Sequence, residues 1–381
     1  MEWKEVRLGD ILNFRRGHDL PHSAMKPGNI PVAGSNGVIG YHDTATPIKP
    51  ILTIGRSGNV GKPYFYEEAW AHNTTLYVDD FKGNDPKFLY YLCQTMPFAN
   101  FGGGSAVPTL NRNHIHPLET KIPVKVEDQR RIASILSSLD RKIELNNKIN
   151  ADLEKMAQAI FKNWFVDFEP FKDGKFLDSE LGMIPEGWKV GRLDEIADVV
   201  GGSTPSKAKP EYYTQKGIAW LTPKDLSNHP AVYTSRGEID ITEEGYNSTS
   251  TKLMPKGTIL FTSRAPIGYI SIAQNDICTN QGFKSLVPKK AGTCFLYCFL
   301  KYVTPEIENK STGSTFKEAS GSLMKSLQVI MPEQKVFEDF ETIVSPLFAR
   351  IESLEKENSH LSLLRDTLLP RLMSGELEVP E

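Results

Sequence analysis

The apolar residues of this chain fall into two copies of one ladder. Ile132, Leu136, Leu139, Ile143, Leu153, Ala157, Ile160 and Trp164 follow alternating spacings of three and four, the period of a helix with one buried stripe. Phe340, Val344, Leu347, Ile351, Leu361, Arg365, Leu368 and Leu372 repeat it 208 residues later. Asn150 maps onto Asn358 within the ladders, and an asparagine buried on such a seam fixes register at some cost in stability. The pattern predicts two long helices, the first opening at Glu127-Asp128-Gln129, with acids where the helix dipole favours them. About 37 residues at 1.5 Å each give this helix a span of roughly 55 Å. Glu169-Pro170-Phe171 ends it, and Ser374-Gly375 closes the second helix.

Before each helix lies a stretch of a different kind. Residues 1–125 are rich in Gly and Pro and carry β-forming runs such as Ile51-Leu52-Thr53-Ile54 and Thr75-Leu76-Tyr77-Val78, bounded by turn residues. A helix is expected from Pro86 to Met96, with proline in its first turn. Residues 188–332 repeat this composition, and 172–187 read as a linker of turns. Landmarks recur in order: Trp3, Arg7, Leu8 and Ile11 with Trp188, Arg192, Leu193 and Ile196; Arg56 and Gly61 with Arg264 and Gly268; Asn73 with Asn280; Gly104-Ser105 with Gly313-Ser314; Ile122-Pro123 with Met331-Pro332. Between them the copies differ almost completely, as expected of one scaffold carrying two sets of loops.

The expected fold class is α+β. Two β-rich recognition domains, 1–125 and 188–332, are related by pseudo-twofold symmetry and separated by an antiparallel coiled coil of the helices in 126–171 and 333–375. Two readers held several tens of Å apart suit a bipartite site on duplex DNA.

Charge adjusts this picture without overturning it. The chain carries 44 Lys and Arg against 47 Asp and Glu, a net −3, which is not the basic total of a compact DNA-binding domain. By segment, residues 1–125 hold 13 and 11 and residues 178–332 hold 17 and 16, whereas 333–381 hold 5 and 11. The acidity therefore sits in the second helix and tail, and the globular stretches are weakly basic. Four scattered cysteines, Cys93, Cys278, Cys294 and Cys298, read as reduced core residues, neither a disulfide framework nor a zinc site. No long apolar run suggests a membrane span, and the charged Met1-Glu2-Trp3-Lys4-Glu5 start lacks a signal-peptide core. The expected location is the cytoplasm.

No catalytic or metal centre emerges. Phe101-Gly102-Gly103-Gly104 lacks the preceding strand of a cofactor loop, and Gly55 to Lys62 misplaces the glycines of a phosphate loop and has Pro63 where Ser or Thr must meet magnesium. His114-Ile115-His116 reads as a surface strand pair without a third ligand.

Three strings carry a resemblance: Ala157-Gln158-Ala159-Ile160-Phe161-Lys162-Asn163-Trp164-Phe165-Val166-Asp167-Phe168-Glu169-Pro170-Phe171, Leu181-Gly182-Met183-Ile184-Pro185-Glu186-Gly187-Trp188, and Leu368-Leu369-Pro370-Arg371-Leu372-Met373-Ser374-Gly375-Glu376-Leu377. Together they make the whole chain resemble the specificity subunit of type I restriction-modification systems. The resemblance implies a non-catalytic subunit whose two target-recognition domains each read half of a split DNA site, with helices that bind two methyltransferase subunits. It also implies S-adenosylmethionine, ATP and Mg on partner subunits, which methylate adenine or, as restriction subunits, translocate and cleave DNA.

The loops with side chains suited to base edges and phosphates are Arg56, Ser57, Asn59, Lys62, Asn73, Thr74, Ser105, Asn111 and Arg112 in the first domain. In the second they are Ser203, Thr204, Lys207, Lys209, Ser263, Arg264, Asn280, Gln281, Ser314, Thr315 and Lys317. Positions that match between copies also fit a scaffold role, satisfying buried backbone; positions that differ are the stronger candidates for sequence-specific contact. For partner binding the candidates are Phe161, Trp164, Phe165, Phe168, Leu369 and Leu372, because these apolar side chains exceed what two helices can cover. The alternative reading is a seal at the base of the second domain. A different function class, a two-headed adaptor for protein or glycan, would use the same architecture.

Overall fold

The computed structural model describes residues 1–103, 108–264, 266–312 and 317–379. It divides into two compact units, Met1–Glu144 with Asn358–Glu381, and Leu145–Glu357. Each unit contains one globular stretch together with part of both long helices.

In the first unit, Trp3–Arg7 pairs antiparallel with Glu119–Pro123, so the opening strand lies against the closing one. A four-stranded antiparallel sheet follows, ordered Asn13–Arg16, Thr75–Asp80, Ile51–Gly55, Pro63–Tyr66. A helix over Pro86–Thr95 packs beside it; Asp85 caps it by accepting the Phe88 N–H at 2.8 Å, and proline stands in its first turn. The core gathers Leu8, Phe14, Leu52, Val78 and Phe88 against Ile132 and Leu136 of the first long helix and Leu372 and Met373 of the second.

The second unit repeats the plan. Lys189–Arg192 pairs antiparallel with Gln328–Met331, and the main sheet runs Ala197–Gly201, Lys284–Pro288, Ile259–Ser263, Ile267–Ala273, Tyr233–Thr234. One-turn helices, Leu8–Ile11 and Leu193–Ile196, follow the opening strand in both units. Each starts the same way, with the arginine N–H donating to an acid three residues on: Arg7 to Asp10 at 3.3 Å, Arg192 to Glu195 at 2.9 Å. Gly61 and Gly268 also correspond, at φ +80° and +95°. A Cβ on either would come within 2.6 Å of a neighbouring side chain, Phe98 or Thr304.

The long helices are Val126–Phe165 and Gln334–Met373, 40 residues each. Their pairing is antiparallel: in the first unit Arg365 donates to Asp140 at 2.9 Å, and in the second Asn146 donates to Glu357 at 2.9 Å while Phe161 meets Phe340. The polar seam differs in detail from the expected repeat. Asn146 and Asn150 are buried, Asn146 fully, whereas Asn358 is only half-buried. The charged seam residue Arg365 is accommodated because Asp140, which also accepts from the Tyr91 hydroxyl at 2.6 Å, faces it. Residues 172–187 are also more ordered than a linker of turns: Phe176–Ser179 and Gly182–Pro185 form a hairpin. Its tight corner uses Gly182 at φ +93°, the left-handed region that glycine enters without a steric penalty.

In the second unit the helix carboxylate Glu355 accepts the N–H groups of Val232 and Tyr233 at 2.7 and 3.0 Å, tying the second long helix to the recognition fold. Burial pushes its carboxyl up to about 7, against the pull of those two donors, with Glu154 and Glu352 adding repulsion. A carboxyl raised this way binds protons more tightly folded than unfolded, so its contribution to stability weakens as pH rises from about 4.5 to about 7. The wild-type chain is expected to lose stability relative to Glu355→Gln across that window, at a slope of at most about 1.4 kcal/mol per pH unit. Urea denaturation of both proteins from about pH 5 to about pH 8 checks it; parallel curves would assign the dependence elsewhere.

Candidate nucleic-acid interface

The second unit holds a groove of about 800 Å³. Two short strands, Trp220–Leu221 and Cys278–Thr279, pair in parallel and release their following turns side by side. One turn enters a helix at Pro223 with a capping box, in which the backbone N–H and hydroxyl of Thr222 both donate to Asp225 at 2.7 Å. The other carries Asn280, Gln281 and Gly282. A third segment closes the groove from Gly202 onward: Ser203 N–H donates to Thr279 O at 2.9 Å, and the Trp220 indole donates to Ser203 O at 3.1 Å.

Thr204, Lys207, Lys224, Arg264, Asn280 and Gln281 line this groove beside Tyr213 and Trp220, and no Asp or Glu is among its described lining residues. These cations, amides and hydroxyls make a surface for phosphates and base edges, with Glu238 3.9 Å from Lys224 and Glu318 3.8 Å from Arg264 beside it. Asn280 Oδ1 accepts Gly282 N–H at 2.8 Å, and the Thr204 hydroxyl donates to Gln281 Oε1. The groove thus collects Thr204, Lys207, Arg264, Asn280 and Gln281 from the sequence candidates. Lys224, Thr222, Tyr213 and Trp220 were missed, since nothing in the internal repeat marks them; the Thr222-Pro223-Lys224-Asp225 box was the available signal.

Other candidates sit elsewhere. Ser263 is fully buried, its hydroxyl donating to Gly282 O at 3.2 Å, so it supports the turn and offers DNA nothing. Lys209 reaches the Tyr212 hydroxyl at 2.9 Å, and Lys317 donates to Glu308 O at 3.3 Å, both outside the groove. Ser203 serves through its backbone. Ser105, Ser314 and Thr315 lie outside the described residues.

In the first unit the counterpart loops meet through backbone. Arg56 and Ser57 N–H both donate to Thr74 O, at 2.8 and 3.1 Å, and Leu110 N–H donates to Arg56 O at 2.8 Å. The Arg56 guanidinium donates to Asn73 O at 3.4 Å, Asn73 donates to Asp19, and the Thr74 hydroxyl lies 3.0 Å from His72 Nδ1. Burial, then the nearby Arg16, which is paired with Asp19 at 3.7 Å, lowers the Arg56 pKa. Asn59 and Lys62 are exposed, Lys62 with its ammonium 5.5 Å above the Tyr64 ring. Asn111 and Arg112 are tied into the scaffold: Asn111 Oδ1 accepts Asn113 N–H at 3.0 Å and Arg112 donates to Phe14 O at 3.1 Å. His114 stands on a one-turn helix, Arg112–Ile115, instead of a strand, and His116 accepts the Phe14 N–H at 3.1 Å, its pKa lowered by burial and then by Arg112.

The aromatic partner candidates divide. Phe161 and Phe165 are 2% and 5% exposed, packed with Phe295, Phe337 and Phe340 in the core of the second unit. Both also line a cavity of about 240 Å³ with Leu181 and Tyr302, and Phe165→Ser would remove core packing as well. Trp164 and Phe168 are half-buried against Phe171 and Trp188 respectively. Leu372 is buried in the first unit's core and Leu369 half-buried beside it. Exposed apolar side chains in the second unit include Leu177, Leu181 and Met183 of the hairpin region, and Tyr302.

The family signature of the type I restriction modification DNA specificity domain matches residues 1–155 and again residues 185–362. The chain belongs to this family. Among relatives of this DNA-specificity chain, the type I restriction enzyme HindI specificity subunit of Haemophilus influenzae is 28% identical over 445 residues, covering 98% of this chain and 94% of its own. The MjaIX specificity subunit of Methanocaldococcus jannaschii is 41% identical over 190 residues, 49% of this chain and 44% of that relative. The fold is shared with the crystal structure of the type I restriction-modification S subunit from M. genitalium, at TM-score 0.63 and 18% identity over 98% of this chain and 96% of that one. No helix among the described residues of the specificity chain is long and apolar enough to cross a membrane.

The close seating of the groove's third wall can be tested at adjacent glycines. A Cβ on Gly202 would stand 2.1 Å from Thr279 O and 2.3 Å from Asn280 O, whereas one on Gly201 would meet nothing within 4 Å. Gly202→Ala should lower the urea midpoint, by roughly 1–3 kcal/mol of stability, and Gly201→Ala should leave it in place.

Proposed function

We propose that this chain is the sequence-reading subunit of a type I restriction-modification complex. Each unit reads one half of a split duplex target, and the long helices set the spacing and recruit the modification subunits. The observation that carries this reading is the double match of one DNA-specificity domain, to residues 1–155 and again to residues 185–362. Adenine methylation with S-adenosylmethionine, and ATP- and Mg-dependent translocation and cleavage, belong to partner subunits; this chain binds and positions. The complex acts in the cytoplasm. For partner docking, the hairpin residues Leu177, Leu181 and Met183 with Tyr302 are better placed than the buried Phe161 and Phe165.

Co-expression with the neighbouring modification subunit and genome-wide mapping of methylated adenines tests the reading. It predicts two short motifs around a fixed unread gap; a folded, co-purifying complex that methylates nothing would refute it. Within the complex, Lys207→Ala and Lys224→Ala should each reduce the slope of log affinity against log salt by about one, uniformly across sequences, as phosphate contacts do. Titration of a cognate duplex at several salt concentrations measures this.

A further inference from the structure

Gln281 occupies the one turn position of the groove where a carboxamide is both exposed and oriented. The Thr204 hydroxyl donates to its Oε1, which fixes the amide plane and leaves both Nε2 hydrogens and one Oε1 lone pair for a ligand. Its backbone is held as well. Asn280 Oδ1 accepts Gly282 N–H, and a Cβ on Gly282 would come within 2.8 Å of Pro223, so the turn is seated directly on the Pro223–Lys224 wall. The corresponding position in the first unit is Thr74, a shorter side chain whose hydroxyl lies against its own His72. The neighbouring asparagine is the same in both copies, Asn73 and Asn280, while this slot changes, as a reader on a common scaffold must.

We infer that Gln281 is a specificity-determining residue of the second unit and reads an adenine through the major groove. A carboxamide held in this way matches adenine edge for edge: Oε1 accepts from the N6 amino group while Nε2 donates to N7. Guanine presents O6 and N7, both acceptors, and leaves Oε1 facing an acceptor. Lys207 and Lys224, on the same groove, supply phosphate contacts that hold the duplex there without reading it. Thr204 is a positioning residue, acting only through Gln281.

The inference rests on the split-target reading, and the same experiment separates the two. Methylated motifs are mapped in the assembled complex for the wild-type chain and for Gln281→Ala, Gln281→Glu and Thr204→Val. The expected result is relaxation at a single A·T position in one half of the motif for Gln281→Ala, with discrimination there falling about tenfold or more. Thr204→Val should relax the same position partly. Gln281→Glu, which accepts but cannot donate, should move preference at that position toward C·G, where a carboxylate accepts from the cytosine amino group. A wild-type complex with no split motif defeats the underlying reading. A split motif that Gln281→Ala and Gln281→Glu leave unchanged, or that changes at a G·C position or in both halves, overturns the assignment of Gln281 alone. If Gln281→Ala abolishes methylation everywhere, the Gln281→Glu motif decides: a shift at one position upholds the assignment and an unshifted motif ends it.

Discussion

Every other feature of this molecule depends on where the long helices bury their seams. They are not rods attached to finished domains. In the first unit Ile132 and Leu136 meet Leu372 and Met373 inside the same core as Phe14 and Phe88; in the second, Ala157, Phe161 and Phe165 meet Phe337, Phe340 and Val344 inside the core that holds Phe295 and Leu286. Removing either helix segment from a unit would expose part of that core, and burial of apolar surface is the main force that keeps such a domain folded. The recognition loops are therefore braced through the sheet and helix packing beneath them, and Glu355 adds a direct tie from helix carboxylate to recognition backbone.

The periodic part of this design was legible because a helix seam and its repetition leave marks in spacing alone. Both long helices, their antiparallel partnership and the matched opening elements at Arg7 and Arg192 could be read from residues at fixed intervals. What spacing could not show was the number of partners on each face. Phe161 and Phe165 looked like surplus apolar surface because two helices cannot cover them; a third helix, Thr293–Lys310, brings Phe295 against both. Its burial by contact across some 130 residues of sequence leaves no local trace. The hairpin at Phe176–Pro185 was hidden for the opposite reason, since glycine and proline mark a tight corner and a loose linker alike.

The candidate site shows the same division. Comparing the two copies separated scaffold from reader only where the shared residue was polar and internally satisfied, as with Asn280 and Asn73. It did not bear on Ser263, a buried hydroxyl that holds the turn from behind, and it passed over Lys224, although a parallel strand pair, Ile30–Gly34 with Trp70–Ala71, also precedes the Asn73 turn of the first unit. Groove composition in three dimensions, a lining of cations and amides, carries information that net charge averages away.

The first unit is assembled from both ends of the chain: Met1–Glu144 with Asn358–Glu381, Trp3 packed so closely on Gly375 that a Cβ there would sit 2.8 Å from its ring, and the terminal amine 3.4 Å from Glu378. Synthesis runs from one end only. All 213 residues of the second unit, Leu145–Glu357, are therefore made before the first unit receives its final strip of core. The unit whose residues come first is completed only after the whole of the second, and until Leu372 and Met373 emerge, Ile132 and Leu136 await part of their cover.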